Sequence, residues 1–439
     1  HLTEKLCAMA WWRGKKEYPA KDLEVAWKDI LFAEFHDILP GSGIPKVEED
    51  SLKMLAHCEE ILRRKKTEAM IALLRNEPLA ERDETPFFIF NPHNWEVTRE
   101  VVVEYGTARQ AGTDAIVRKV FCDGEEIEVQ FEKGDLNLDN PAWGEWRQKA
   151  VFKTTIPPMS YKRFDTEYAV LPDDQVTRWQ SPKMPEGDTL SITGDALSAV
   201  INLKTGLMDS VTVDGTEQIE PGSFKPAIFN DIPHSWNCAE TWELANETFR
   251  LATPEEATRL LSSESINPGY TQLQKPVQMI EDGPFRSVVE AYFVSNHSSV
   301  VQRYIINKKS AVIEIELDIF WAEKDKMLKL AYTPIRELNQ LWAEKCYSID
   351  DETSAVSEAD RERTFQHFLR RTDGVSSLGV ISHGTHGYHQ EKNTTWLSIL
   401  RSPAYGCMAV APDWQRYRNR FMPHQDQGEH QARFTFVFG

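Results

Sequence analysis

Residues 312–321 read VIEIELDIFW, and this stretch carries the clearest secondary-structure signal of the 439-residue chain. Ile313, Ile315, Leu317 and Ile319 alternate with two glutamates and one aspartate. Successive side chains of a β-strand point to opposite faces, so the alternation predicts a strand with one buried face and one solvated face. One sheet of a β-sandwich requires such a strand.

A two-residue period recurs through most of the sequence beyond residue 85. It predicts short strands at 87–90 and 99–105, alternation over 127–131 and a final strand at 434–438. Few helical patterns interrupt these segments, which favours β-sandwich architecture over an α/β fold. A Pro-rich stretch at 171–185 predicts a boundary between two sandwiches. The expected domains are a small β-sandwich at 85–170 and a large β-sandwich at 175–439.

The first 80 residues have the three-and-four spacing of amphipathic helices. This spacing predicts a helix with one buried face over 21–35, and residues 47–74 repeat the pattern. A further helix is predicted at 2–12. Short connections between such helices favour a small antiparallel bundle of three helices over residues 1–80. The residues expected in its interior are Leu23, Trp27, Ile30, Leu31, Phe35, Val47, Met54, Leu55, Cys58, Ile61, Leu62, Ala69 and Leu73.

The composition argues against several classes of partner. A net charge of −18 disfavours nucleic acid and anionic membranes, and no apolar run approaches the ~20 residues of a membrane-spanning helix. The six cysteines are scattered without a CxxC pair, which predicts free, mostly buried thiols in place of a disulfide framework or a zinc knuckle. Because the first residue is His, we expect the natural N-terminus to lie upstream, so the compartment is not predicted. No sequence pattern indicates an oligomeric state.

The sequence EFHDILPGS, residues 34–42, places His36 beside Asp37 at the expected end of a helix. Pro40 and Gly41 predict a sharp turn there, and such a turn can hold an imidazole outward in a fixed orientation. A neutral imidazole is a common transition-metal ligand, and an adjacent carboxylate can hold a substrate hydroxyl. The alternative is a solvent-facing histidine that interacts with the helix dipole.

Two other segments are candidate metal sites. His383, His386 and His389 lie within seven residues, and on a strand His383 and His389 would share a face. His424 and Asp426 are two positions apart and would also face the same way. The alternatives are surface-loop histidines for the first segment and a polar loop that lines a cleft for the second.

Residues 230–242 combine carboxylates with His234, Trp236 and Trp242. Indole faces stack on the C–H side of sugar rings, and carboxylates accept sugar hydroxyls, so a carbohydrate-binding wall is one interpretation. Core tryptophans flanked by loop acids are the other. The sequence contains no Gly-rich phosphate loop, GxSxG elbow or HExxH helix.

Several short motifs resemble segments of the glycoside hydrolase family 38 α-mannosidases. FHDILPGS at 35–42 resembles the family's zinc-binding histidine turn, and FNPHNW at 90–95 resembles the opening of its first β-domain. Motifs of the large β-domain are resembled by DIPHSW at 231–236, by HGY at 386–388 with LSILRSP at 397–403, and by DQGEH at 426–430. These motifs occur in the family's order across nearly the whole chain.

The resemblance implies a mainly β fold. An N-terminal three-helix bundle would be followed by a small β-sandwich and a large galactose-mutarotase-like β-supersandwich. It also implies a retaining α-mannosidase that hydrolyses terminal α-linked mannose of oligosaccharides or glycans with the help of zinc. By this resemblance His36 is a zinc ligand, and Asp37 is a substrate-binding residue. The position and residue type of His234, Trp236 and Tyr388 make them further candidates for substrate binding.

One departure from the family pattern limits these implications. In the family, a His-x-Asp ligand pair, the nucleophile and the acid/base residue come from an α/β domain that precedes the helical bundle, whereas this sequence begins inside the bundle. We therefore assign no catalytic residue to the chain and expect it to hold one zinc ligand of four, so that zinc is absent or weakly held. His424 and Asp426 have the His-x-Asp spacing but lie in the terminal β region. The alternative function is a non-catalytic carbohydrate-binding β-sandwich module.

Overall fold

The chain is mainly β, with an N-terminal helical region followed by β-sandwich sheets, which confirms the predicted fold class. The computed structural model describes residues 1–80, 85–110, 113–134, 145–172, 183–239, 242–261, 274–354, 361–406 and 421–439. The chain divides into two compact units, His1–Gln180 and Ser181–Gly439. Across the described ranges, no helix combines the length and the apolar character needed to cross a membrane.

Three helices open the first unit: α1 (Leu2–Trp12), α2 (Ala20–Ala33) and α3 (Pro45–Leu74). Proline at the start of α3 is compatible with the helix because the first turn has no intrahelical acceptor for its missing N–H. The buried residues of α1 pack against the C-terminal half of α3, and α2 packs against its middle. The interior side chains are Leu6, Cys7, Met9, Ala10, Ala26, Cys58, Ile61, Ala69 and Leu73.

The bundle buries a narrower stripe than the sequence predicts. Leu31, Phe35 and Leu55 are 58%, 51% and 41% exposed, so their predicted burial is wrong. The helix α2 ends at Ala33, before Phe35, and its contact with α3 runs through Ala26 and its neighbours. An apolar stripe identified by spacing is wider than the surface that two neighbouring helices can cover.

The rest of the first unit is a small antiparallel β-sandwich. Its seven strands follow the order β1-β7-β3-β2-β6-β5, with β4 paired to β3. Val117, Val120 and Phe164 on one layer pack against Ala150 and Phe152 on the other. The strands are β1 (Phe87–Asn91), β2 (Val97–Gln110), β3 (Thr113–Cys122), β4 (Glu125–Ile127), β5 (Gln130–Lys133), β6 (Glu145–Ile156) and β7 (Ser160–Pro172).

Asn91 ties the end of β1 to the end of β6. Its side-chain amide donates to the carbonyls of Trp95, Ile156 and Pro157 at 2.8, 3.0 and 3.0 Å, and its oxygen accepts the N–H of His93 at 3.0 Å. The residue is buried. The asparagine of the FNPHNW motif therefore closes a turn, because its side chain makes hydrogen bonds to four backbone groups.

We expect Asn91→Ala to lower the free energy of unfolding by about 2 kcal/mol, because it removes four hydrogen bonds of the turn, including a buried one to the carbonyl of Ile156. Urea unfolding of the chain would measure the loss. Asn76→Ala, at an exposed position after α3, is the matched control and should change stability little. Equal effects of the two substitutions would contradict the role given to Asn91.

The second unit contains three antiparallel sheets and one short helix in its described residues. The helix was not predicted from the sequence. The sheets have the orders β11-β10-β9-β8, β12-β18-β25-β24-β21 and β13-β15-β16-β17-β26-β23-β22-β19-β20, and β14 pairs with β15. The elements are β8 (Thr189–Thr193), β9 (Ser198–Asn202), β10 (Met208–Val213), β11 (Thr216–Glu217), β12 (Lys225–Asn230), β13 (Arg250–Leu251), α4 (Pro254–Leu261), β14 (Val277–Asp282), β15 (Arg286–Val294), β16 (Ser299–Asn307), β17 (Val312–Trp321), β18 (Lys326–Tyr332), β19 (Gln340–Lys345), β20 (Ser348–Asp351), β21 (Arg363–Thr364), β22 (Phe368–Thr372), β23 (Ser377–Ser382), β24 (Gly387–Glu391), β25 (Thr394–Arg401) and β26 (Gly428–Phe438).

The strand β17 lies in the interior of the ten-stranded sheet, between β16 and β26. Its four alternating apolar residues are buried, as predicted. They share one large core with Leu328, Leu330 and Tyr332 of β18 in the five-stranded sheet. Glu314 and Glu316 face the other way and pair with Arg433 of β26. The ten- and five-stranded sheets are thus the two layers of a sandwich.

The five-stranded sheet also has a second face, directed away from that core. Because side chains alternate along β18, Met327, Lys329 and Ala331 lie on this second face. Here Met327 and Ala331 pack with apolar residues of β12 and β25 and with Trp242, which lies in the chain segment after β12. This face, and the chain that leaves β12 beside it, position the candidate site.

Candidate functional site

Loop 231–239 leaves the end of β12 and is closed by the last residue of β25. The Nε of Arg401 donates to Oδ2 of Asp231 at 2.8 Å, and its second terminal nitrogen contacts the same oxygen at 2.8 Å. That terminal nitrogen also donates to the carbonyls of His234 and Asn237 at 3.0 and 2.7 Å. The other carboxylate oxygen of Asp231 accepts the N–H of Ala239 at 3.0 Å, which joins the two ends of the loop.

The tip of the loop presents an aromatic surface. Trp236 is 59% exposed, and its backbone N–H donates to Nδ1 of His234 at 3.0 Å. Cys238 and Ala239 pack against the second face of the five-stranded sheet. The two predicted substrate-binding residues of the loop, His234 and Trp236, are therefore adjacent and joined by a hydrogen bond, and the indole is open to solvent.

Further polar pairs surround the base of this loop. The backbone N–H of Asp231 donates to the carbonyl of Asp325, and Lys326 donates to the side chain of Asn230 at 3.0 Å. The Nε2 of His424 lies 3.2 Å from Oδ1 of Asp325. Burial raises the pKa of Asp325, although His424 acts in the opposite direction.

A buried ammonium lies on the second face of the same sheet. Lys329 is fully buried, and its Nζ contacts Glu362 at 2.5 Å, Nδ1 of His389 at 2.9 Å and Oγ of Ser398 at 3.1 Å. The same nitrogen lies 4.0 Å from the ring centroid of Trp242, in cation–π geometry. These contacts use all three donors of the ammonium and balance its charge.

The electrostatics of this Lys329 cluster follow from its burial. Loss of water lowers the pKa of Lys329, although Glu362 acts to raise it. Burial and the nearby ammonium lower the pKa of His389 to about 2, so its imidazole is neutral. Since Nδ1 accepts from the ammonium, Nε2 carries the hydrogen, and it has no hydrogen-bond partner among the residues that the structure describes.

The position of Gly387, beside this cluster, leaves no room for a side chain. A Cβ at this position would lie 2.8 Å from Oε1 of Glu362 and 2.9 Å from Cβ of Ser398. The glycine of the HGY motif therefore allows the carboxylate of Glu362 to approach the strand.

Tyr388, a predicted substrate-binding residue, points into the sandwich core. It is buried against Phe365, with ring centroids 5.9 Å apart, on the opposite face of β24 from His389. Burial raises the pKa of its hydroxyl. Because neighbouring residues of a strand face opposite ways, the structure does not bring Tyr388 together with loop 231–239, and this placement gives substrate binding no support.

His36 and Asp37 occupy the predicted turn between α2 and α3. The imidazole is 77% exposed, and its ring centroid lies 4.2 Å from that of Phe35. Its Nε2 is 3.5 Å from Oδ2 of Asp37. Gly41 has a φ of 72°, which fits the sharp turn. The ring thus points outward, as the turn chemistry predicts.

The residues present do not form a complete zinc site. Tetrahedral zinc needs four ligands, and His36 with Asp37 supplies two candidate donors. Within the described part of the chain, no group of three His, Cys, Asp or Glu side chains could hold a metal ion.

The other histidine-rich segments do not converge either. His383 contacts Thr435 at 3.0 Å, His386 contacts the carbonyl of Gln366 at 2.9 Å, and His389 faces Lys329. His424 contacts Asp325, as described above. The five cysteines that the structure describes are free, as predicted, but only Cys7 and Cys58 are buried, so the predicted burial of most thiols is wrong.

Sequence reasoning missed Arg401 and the Lys329 cluster as parts of a site, whereas Asp231 belongs to the 230–242 segment already considered as a carbohydrate-binding wall. Arg401 and Asp231 both belong to motifs that carry the family resemblance, but their pairing across 170 positions is not visible in the sequence. A signal for Lys329 was available: within KMLKLAY, residues 326–332, it occupies the face shared by a methionine and an alanine.

Comparison with protein families matches two models in chain order. The alpha mannosidase middle domain matches residues 1–73, which include the His36 turn. The glycosyl hydrolases family 38 C-terminal domain matches residues 193–415, just over half of the chain. The second match contains both loop 231–239 and the Lys329 cluster.

Two curated relatives share about a fifth of their aligned residues with this chain. Alpha-mannosidase G of Dictyostelium discoideum is 22% identical over 88% of this chain and 35% of its own length. Human alpha-mannosidase 2C1 is 22% identical over 100% of this chain and 37% of its own length. The chain therefore spans little more than a third of the length of these relatives.

Solved structures show the same fold. An α-mannosidase from Enterococcus faecalis aligns with a TM-score of 0.68 at 15% identity, over 100% of this chain and 52% of that one. A family 38 glycosyl hydrolase from the same organism aligns with a TM-score of 0.70 at 14% identity, over 100% and 54% of the two chains. With the matched domain models, these findings identify the chain as a member of glycoside hydrolase family 38 that corresponds to the family's middle and C-terminal domains.

Proposed function

We propose that the chain is the C-terminal part of a retaining α-mannosidase that removes terminal α-linked mannose from oligosaccharides or glycans. The observation that carries this proposal is the match to the middle and C-terminal domains of family 38, in the family's order. Retaining hydrolysis needs one carboxylate that attacks the anomeric carbon and a second carboxyl group that acts as acid and then as base. We assign both to a part of the enzyme outside this chain.

The proposed contribution of the second unit is a wall for the substrate. The exposed indole of Trp236 offers a flat apolar surface for the C–H face of a sugar ring, and His234 beside it offers an imidazole for a hydroxyl. Arg401 donates to the backbone carbonyls of His234 and Asn237, on either side of the indole.

The proposed contribution of the first unit is the His36 turn. Zinc, when bound, would orient mannose hydroxyls; His36 would be one of its ligands, and Asp37 would hold a sugar hydroxyl. The remaining ligands would come from outside this chain. Exposed apolar side chains flank the turn and support its burial against the rest of the enzyme. They are Leu31, Phe32, Phe35, Leu39 and Ile44.

We expect Trp236→Ala in the complete enzyme to raise KM for an aryl α-mannoside about tenfold, because the stacking surface is lost. Steady-state kinetics would measure the change. Trp95→Ala is the matched control, since Trp95 is also an exposed tryptophan but lies in the small sandwich. An unchanged KM in the Trp236 variant would contradict the substrate wall.

The second candidate function is a carbohydrate-binding module that acts without catalysis. The exposure of Trp236 on a hydrogen-bonded loop is the observation that favours it. Calorimetric titration of the chain with mannose oligomers discriminates the two functions. Binding by the chain alone that survives His36→Ala but not Trp236→Ala would favour the module. Hydrolysis of an aryl α-mannoside by the chain alone would contradict our placement of the catalytic residues.

A further inference from the structure

We infer that Arg401 is a positioning residue, which sets affinity for the sugar by fixing the loop that carries His234 and Trp236. The inference rests on the proposed role of loop 231–239 in substrate binding. It adds that this role depends on Arg401, which lies on β25 and not in the loop itself.

The contacts of Arg401 are distributed along the whole loop. The guanidinium reaches Asp231 at the loop's first residue, the carbonyl of His234 before the tip, and the carbonyl of Asn237 after it. Trp236 lies between the last two of these contacts. Two carbonyls held by one planar group leave the intervening backbone little freedom to move the indole.

The counter-ion of Arg401 is itself fixed. The side chain of Asp231 is fully buried, and its second oxygen accepts the N–H of Ala239. Arg401 is three-quarters buried at the end of β25. The pair therefore has a single well-defined arrangement, in contrast to a solvent-exposed ion pair whose partners rearrange readily.

The chemistry of the side chain explains why arginine is needed here. A guanidinium presents several N–H groups in one rigid plane and can serve a carboxylate and two carbonyls at once. A lysine ammonium keeps the charge but is a single point at the end of a flexible stem, so it cannot span the same three acceptors. Arg401→Lys therefore removes the contacts that position the loop and keeps the positive charge.

The test is a double-mutant cycle in the complete enzyme with an aryl α-mannoside. We expect Arg401→Lys to raise KM about tenfold while kcat stays within about twofold. In the Trp236→Ala background the same substitution should have little further effect, since the residue it positions is gone. Asp231→Asn is the second variant, and it should act in the same direction. Arg433→Lys, at a half-exposed ion pair on β26, is the matched control.

The possible outcomes test the positioning role of Arg401 separately from the proposed substrate-binding role of loop 231–239. If Trp236→Ala leaves KM unchanged, the substrate-binding role of the loop is wrong, and the inference falls with it. If Trp236→Ala raises KM but Arg401→Lys and Asp231→Asn do not, the proposal stands and the inference is overturned. An undiminished effect of Arg401→Lys in the Trp236→Ala background also overturns it, because Arg401 would then act by another route.

A second measurement needs no ligand. In the chain labelled with fluorotryptophan, the fluorine resonance of Trp236 can be assigned through Trp236→Phe. Arg401→Lys should shift or broaden this resonance and leave that of Trp12, an exposed residue of the helical bundle, unchanged. An unaltered Trp236 resonance would show that the loop keeps its conformation without the guanidinium, which overturns the inference.

Discussion

Lys329→Met is expected to destabilise the chain by about 3 kcal/mol, because it removes the cation from a buried ion pair. The substitution leaves Glu362 without its counter-ion and Nδ1 of His389 without its donor. A buried charge that loses its partner keeps its desolvation penalty and loses the attraction that offset it. The effect should appear as a lower urea midpoint, followed by tryptophan fluorescence, since Trp242 lies against the ammonium.

The double variant Lys329→Met with Glu362→Gln separates charge from packing. It removes both charges, and it should recover part of the lost stability because no unpaired carboxylate remains. Lys204→Met is the matched control: its ion pair with Asp188 is exposed at both ends, so its loss should change stability by less than about 1 kcal/mol. A Lys329→Met chain with a wild-type midpoint would show that the cluster contributes nothing.

His36→Ala in the complete enzyme is expected to abolish stoichiometric zinc and to lower kcat/KM at least about 100-fold. The expectation follows from the proposed role of His36 as a ligand, since a site that loses one of four ligands binds the ion much more weakly. Metal analysis of the purified protein and steady-state kinetics would measure the two effects together.

His57→Ala is the control for this experiment. His57 is an exposed histidine on α3, 2.7 Å from Asp29, so its loss tests whether any surface imidazole of the bundle influences metal content. Zinc that remains bound at one ion per enzyme in the His36→Ala variant would refute the assignment. The chain alone, which supplies one imidazole and one carboxylate at this turn, should not retain stoichiometric zinc.

Local sequence patterns were sufficient for the secondary structure that defines the fold class. The alternation in β17 predicted its buried face, and three-and-four spacing predicted α2 and α3 of the first unit. These signals are local because the period of a strand or a helix is a property of the backbone alone. The short motifs likewise identified the family, because each is a contiguous stretch.

The tertiary structure decided which side chains share a site. Arg401 meets Asp231 because β12, β18 and β25 are neighbours in one sheet, an adjacency that no local period encodes. Tyr388 and His389 are consecutive in sequence, yet one fills the core and the other contacts Lys329 on the opposite face. Leu31 and Phe35 belong to the predicted apolar stripe, yet they are exposed because no neighbouring element of the described chain covers them. A pattern determines how a segment folds, whereas burial and charge pairing depend on the elements that pack against it.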